Sequence, residues 1–95
     1  MRPIHPGEVL LEEFMKPMEL SSNRLAAALH VPTNRVTGIV NAERSVSADS
    51  ALRLARYFGT SPEFWLNLQA TFELRTAATE AAADIARIVP AKRSA

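Results

Sequence analysis

Six residues of one short helical pattern, Thr33, Asn34, Arg35, Thr37, Gly38 and Asn41, fall on its outward side. Hydroxyls, amides and a guanidinium are the groups that hydrogen-bond base edges, amides addressing adenine and arginine addressing guanine. An ordinary solvated helix face would favour Glu and Lys for propensity and i, i+4 pairing. Gly38 costs roughly 1 kcal/mol against alanine in mid-helix; either its backbone comes close to something bulky, such as a groove wall, or it is merely tolerated on the surface. Ser22, Asn23 and Arg24 begin the preceding helical pattern, and Arg44 follows the second, so these four would meet phosphate while the second helix reads sequence. Arg53 and Arg56 either join them or serve as solvated partners of Asp49 and other carboxylates.

Other chemistries find little material. His5 and His30 are the only imidazoles and there is no cysteine. No H-E-x-x-H or phosphate-cradling glycine loop is present. Glu12 and Glu13 are adjacent, so they point to different parts of a helix surface and do not form an acid and base pair. His5, before Pro6, reads as a loop residue. We therefore expect no enzyme activity, no metal and no cofactor.

The elements that must position the outward face read as five helices and no strand. The first spans about 7–16, with Leu10, Leu11, Phe14 and Met15 on one stripe and Pro17 ending it. The second spans about 22–29, capped by Ser21, with Leu25, Ala26 and Leu29 buried. Pro32 cannot continue a helix and drives Val31 out of the α region, so the chain turns there, with His30 as the left-handed residue. The third spans about 33–41 and buries Val36, Ile39 and Val40. Two short helices joined by a tight turn describe either a helix-turn-helix or a core hairpin without a ligand; the polar outward face favours the former. A fourth helix is capped by Ser47, runs to about 58 and stops at Gly59, with Ala51, Leu52, Leu54, Ala55 and Phe58 as its core stripe. The fifth starts at Ser61, Pro62 and Glu63 and ends near 79. Residues 80–89 are helical or extended, and 91–95 read as a frayed basic tail.

Apolar residues make up 47% and charged ones 22% of the 95 residues, which is the composition of one folding domain and not of a disordered chain. The absence of cysteine and of an apolar run near 18 residues leads us to expect a cytoplasmic protein with no membrane partner. The net charge of +1 is unevenly spread: residues 21–60 hold five arginines against Glu43 and Asp49, either a phosphate-binding footprint or a solvated surface. The fifth helix is apolar on two sides, Phe64, Trp65, Leu68 and Phe72 against Leu66, Ala70, Leu74 and Ala77. We assign Phe64, Trp65, Leu68 and Phe72 to dimerisation; the rival is that the C-terminal segment folds back over the second stripe. A two-fold dimer would set two third helices about 34 Å apart and call for a palindromic site.

The stretches IHPGEVLLEEF (4–14), ADSALRLARYFGTSPEFWLNLQ (48–69) and FELR (72–75), flanking a helix-turn-helix, closely resemble the HigA family of addiction-module antitoxins, within the lambda-repressor-like XRE-type group. The likeness covers about residues 3–79. It implies an all-α, five-helix domain over 1–79 with a long C-terminal dimerisation helix, followed by an 80–95 extension. It also implies a homodimer that represses its own transcription at a palindromic double-stranded operator and neutralises a RelE-like mRNA-cleaving toxin; a solitary regulator would look almost the same. The group places base-facing positions at Thr33, Asn34, Thr37, Gly38 and Asn41, and a phosphate-touching glutamine where this chain has the shorter Ser22. Histidine at 30 replaces the usual turn glycine. No toxin-binding residue is indicated; the acidic first helix (Glu8, Glu12, Glu13, Glu19) is either a face for a basic partner or a solvated one.

Overall fold

The computed structural model describes residues 2–92 and, among these, contains helices and no strand. They are α1 (Pro6–Val9), which runs directly into a π-helical segment (Leu10–Met15), α2 (Ser22–Leu29), α3 (Thr33–Val40), α4 (Ala48–Phe58), α5 (Pro62–Glu80) and α6 (Ala82–Ala86). The expected first helix is thus α-helical for one turn and then wider. A π turn brings residues five apart into register, which is how Leu10 and Met15 are both fully buried while Leu11 and Phe14 sit half-buried beside them.

Each start follows from its capping side chain. Ser21, Ser47 and Ser61 accept from the amides of Arg24, Ser50 and Phe64, and Pro62 occupies the first turn of α5, satisfying N–H groups that a helix leaves open. His5 belongs to this set: it is a buried cap of α1, its Nδ1 accepting from the Gly7 amide at 2.9 Å, not a free loop residue. The ends are as telling. Glu19, His30 and Ala42 all have positive φ, near 53°, 60° and 60°. At each, the next amide reaches back five residues, Leu20 to Met15, Val31 to Ala26 and Glu43 to Gly38, the Schellman closure in which glycine is usual. Only α4 uses glycine, Gly59, in that conformation.

The core gathers Leu10, Met15, Leu25, Ala26, Leu29, Val36, Ile39, Val46, Ala51, Leu54, Ala55 and Trp65. Two expectations are corrected here. Leu52 is 59% exposed, because the inward side of α4 is formed by 50, 51, 54, 55 and 58. Trp65, assigned to a dimer face, is 0% exposed; its ring lies 5.0 Å from that of Phe14 and its Nε1–H donates to Thr60 Oγ1 at 2.8 Å. The stripe 65, 68, 72 is therefore the inward side of α5, with Leu68 and Phe72 half-buried and Phe64 at its exposed margin.

The stretch left open as helical or extended contains α6, and Lys92 ends the described chain, so Arg93, Ser94 and Ala95 of the expected basic tail lie outside the described residues. Folding back does not occur over the second stripe: Leu74 is 72% exposed, and Ile88 and Val89 more than half. No helix among the described residues is long and apolar enough to cross a membrane.

Candidate nucleic-acid interface

The helix pair α2 and α3 meets at Ala26, which is 2% exposed, and the left-handed His30 turns the chain into Pro32. Val36 and Ile39 anchor α3 from below. Asn34 and Asn41 are exposed, and Thr33 and Thr37 are half-exposed. Positions 34, 37 and 41 share one side of a 3.6-residue helix. Thr37 Oγ1–H donates to the Thr33 carbonyl at 3.4 Å, leaving its lone pairs as acceptors. Unlike α2, α3 begins without a side-chain cap; its Arg35 amide donates to the Pro32 carbonyl at 3.0 Å, which leaves the amides of Thr33 and Asn34 at the open helix end.

Ser22, Asn23 and Arg24 form the first turn of α2, Ser22 half-buried and the other two exposed. Arg44 is exposed in the loop after α3, and neither Arg24 nor Arg44 enters an ion pair among the described residues. That loop is held by two groups. The amides of Glu43 and Arg44 both donate to the Gly38 carbonyl, at 2.8 and 3.0 Å. The buried Gln69 accepts from the Val46 amide at 2.8 Å. The His5 imidazole lies beside this loop; its burial pulls it below the usual histidine range, opposed in part by the Arg44 main chain.

Two expected members of the outward face are placed differently. Gly38 is buried, not exposed: a Cβ there would stand 3.2 Å from Arg44 Cβ and 3.4 Å from its Nε. The close approach that glycine permits is to the Arg44 stem, which crosses the helix at that point. Arg35 is ion-paired to Asp49 of α4, and Arg53 Nε donates to the same Oδ2 at 2.9 Å. The two guanidiniums, Arg53 first, hold the Asp49 carboxyl below the usual carboxylate range. Arg53 is thereby a partner of Asp49, and its Nη1 also donates to the Leu29 carbonyl at 2.8 Å.

Sequence reading passed over Asp49, Gln69 and His5 as supports of this surface. His5 and Gln69 sit inside the stretches that carried the family likeness, but nothing local to them signals a partner thirty-nine or twenty-three residues away. No group of three or more His, Asp or Glu among the described residues could hold a metal ion.

Comparison with known proteins gives a consistent picture. Residues 11–65 match the helix-turn-helix family model HTH_3. The virulence-associated protein I of Dichelobacter nodosus is 52% identical over 81% of this chain and 71% of its own length. Among solved structures, an addiction module antidote protein of the HigA family from Coxiella burnetii is 51% identical, superposes with a TM-score of 0.90, and the match covers 96% of this chain and all of that one. The Pseudomonas aeruginosa antitoxin HigA, solved with the higBA promoter, is 46% identical with a TM-score of 0.91, over 96% of this chain and 100% of that one.

Proposed function

The chain belongs to the HigA family of helix-turn-helix antitoxins, and from that premise we propose that it binds operator DNA as a homodimer, represses its own transcription and neutralises a RelE-like mRNA-cleaving toxin. The observation that carries the reading is the uncapped edge of α3 formed by Thr33, Asn34, Thr37 and Asn41, flanked by the cations Arg24 and Arg44, which enter no ion pair among the described residues. The relative solved with a promoter supports the same use of the same fold. Ser22, Asn23, Arg24 and Arg44 would grip phosphates, and Asn34, Thr37 and Asn41 would address bases. Arg35 stands apart from them because of Asp49. Residues 1–79 hold this unit and its dimer helix, and 80–95 extend it. No catalytic step forms part of this reading, and an operator ligand places the protein in the cytoplasm.

Dimerisation is assigned to the outer side of α5, to α6 and to the residues just after it, where Leu66, Leu74, Ile85, Ile88 and Val89 are left uncovered; Phe64 joins them from the margin, and Trp65 does not. Large apolar side chains left uncovered in this number along one arm of the fold are what an interface would cover.

Replacing Asn34 and Thr37 together by alanine should weaken binding to the DNA upstream of the gene by about 2–6 kcal/mol, at roughly 1–3 kcal/mol per good base contact, and relax base preference. Wild-type affinity in the double variant would remove α3 as the reader. For the toxin, the adjacent small reading frame is expressed with and without this protein and growth is followed. Arrest relieved by co-expression is expected; a harmless frame, or arrest that persists with good expression, would make the chain a solitary regulator.

A further inference from the structure

We propose that Asp49 is a positioning residue for DNA recognition: its one carboxylate fixes α3 against α2, so that the phosphate contacts of one helix and the base contacts of the other are made together. The inference rests on the DNA-binding reading above.

Three helix ends converge at this carboxylate. Asp49 lies in the first turn of α4, and its Oδ2 accepts from Arg53 Nε at 2.9 Å and from the guanidinium of Arg35, in the first turn of α3. Arg53 Nη1 extends the chain of bonds to the carbonyls of Leu29 and His30, at 2.8 and 3.3 Å. These carbonyls close α2, whose left-handed ending leaves them without amide partners of their own. Asp49 thus ties the end of one helix to the start of the next across the turn that sets their angle.

Its effect on stability should be slight. The side chains of Asp49, Arg53 and Arg35 are 54%, 39% and 30% exposed, and exposed ion pairs contribute little to folding. Its effect on placement should be large, because two guanidiniums share one anion. Without that charge they repel, and Arg35, one residue from the base-facing Asn34, is released as a cation able to pair with phosphate at any sequence. Loss of Asp49 should therefore lower preference, not adherence.

The test compares the full chain as wild type, Asp49→Asn and Asp49→Glu, on two duplexes: the DNA upstream of its gene and a scrambled sequence of equal length and composition. Thermal midpoints are measured alongside. For Asp49→Asn we expect the ratio of specific to scrambled affinity to fall about tenfold, the size of one good base contact. Affinity for the scrambled duplex should hold or rise, and the midpoint should stay within a few degrees. Asp49→Glu, which restores the charge, should recover most of the ratio. A ratio unchanged in Asp49→Asn, or a parallel loss on both duplexes with a lowered midpoint, would overturn the proposal. A wild-type protein without preference for its upstream DNA would overturn the DNA-binding reading itself and the proposal with it, which separates the two failures.

Discussion

The two ends of α3 are held by different physics. Its first turn is tied to α4 through charge, Arg35 and Arg53 on Asp49, at a partly exposed site. Its last turn is pressed against α1 by contact between backbones: a Cβ on Gly7 would lie 1.8 Å from the Ile39 carbonyl oxygen and 3.0 Å from Val40 Cα. Close packing transmits any change of volume directly, whereas a screened ion pair yields and re-forms. The recognition helix is therefore hinged on a rigid end and steered at a compliant one.

The rigid end breaks first. Gly7→Ala places a methyl group where backbone already stands, and neither partner can rotate away. Overpacking of well-packed sites costs roughly 1–3 kcal/mol and occasionally more; we expect this case at or above the upper figure, read as a lowered urea midpoint with α3 displaced and operator binding lost. A Gly7→Ala protein as stable as wild type would show that α1 can withdraw from Ile39 freely. Asp49→Asn is the counterpart at the other end, altering recognition with the midpoint nearly intact.

Acid should separate the same two ends by a smaller effect. His5 caps α1, and its burial disfavours the charged ring, so its folded pKa is lowered. The unfolded chain then takes up the proton first, so the stability due to the neutral ring is present above the ordinary histidine value of about 6.5 and declines as pH falls below it. The slope from this residue cannot exceed about 1.4 kcal/mol per pH unit, the limit for one proton. Asp49, held below the usual carboxylate range by its arginines, stays charged through that window. His5→Asn keeps a capping oxygen without the titration; its denaturant midpoint should lose the decline between pH 7 and 5 that is expected of wild type. Identical pH profiles would remove His5 from the account.

Much of this was legible in the chain. Pro32 forced the turn and made His30 left-handed, and Ser21, Ser47 and Ser61 announced three helix starts, because caps and breakers act within a few residues. The outward set at Asn34, Thr37 and Asn41 followed from a wheel whose inner side, Val36 and Ile39, was unambiguous. Three features were hidden for separate reasons. Helix α5 carries apolar residues on two sides, so periodicity alone could not tell that Trp65 faces inward and Leu74 outward. Glycine has no side chain to declare a side, and Gly38 lies under Arg44, which a wheel of one helix does not contain. Arg35 looks like a base reader until Asp49, fourteen residues on, is brought beside it.

The three helix endings at Glu19, His30 and Ala42 carry a further consequence. Each holds an ordinary side chain in a backbone region where glycine is at ease, and none of the three belongs to the buried core. At Glu19, which lies outside the α2–α3 unit, glycine would remove steric strain without touching what packs inside or what meets DNA. The protein's lifetime in the cell, which tracks the fraction unfolded, can therefore drift under selection through the Glu19 turn while the preferred sequence stays fixed. Persistence and recognition are separately heritable in this fold.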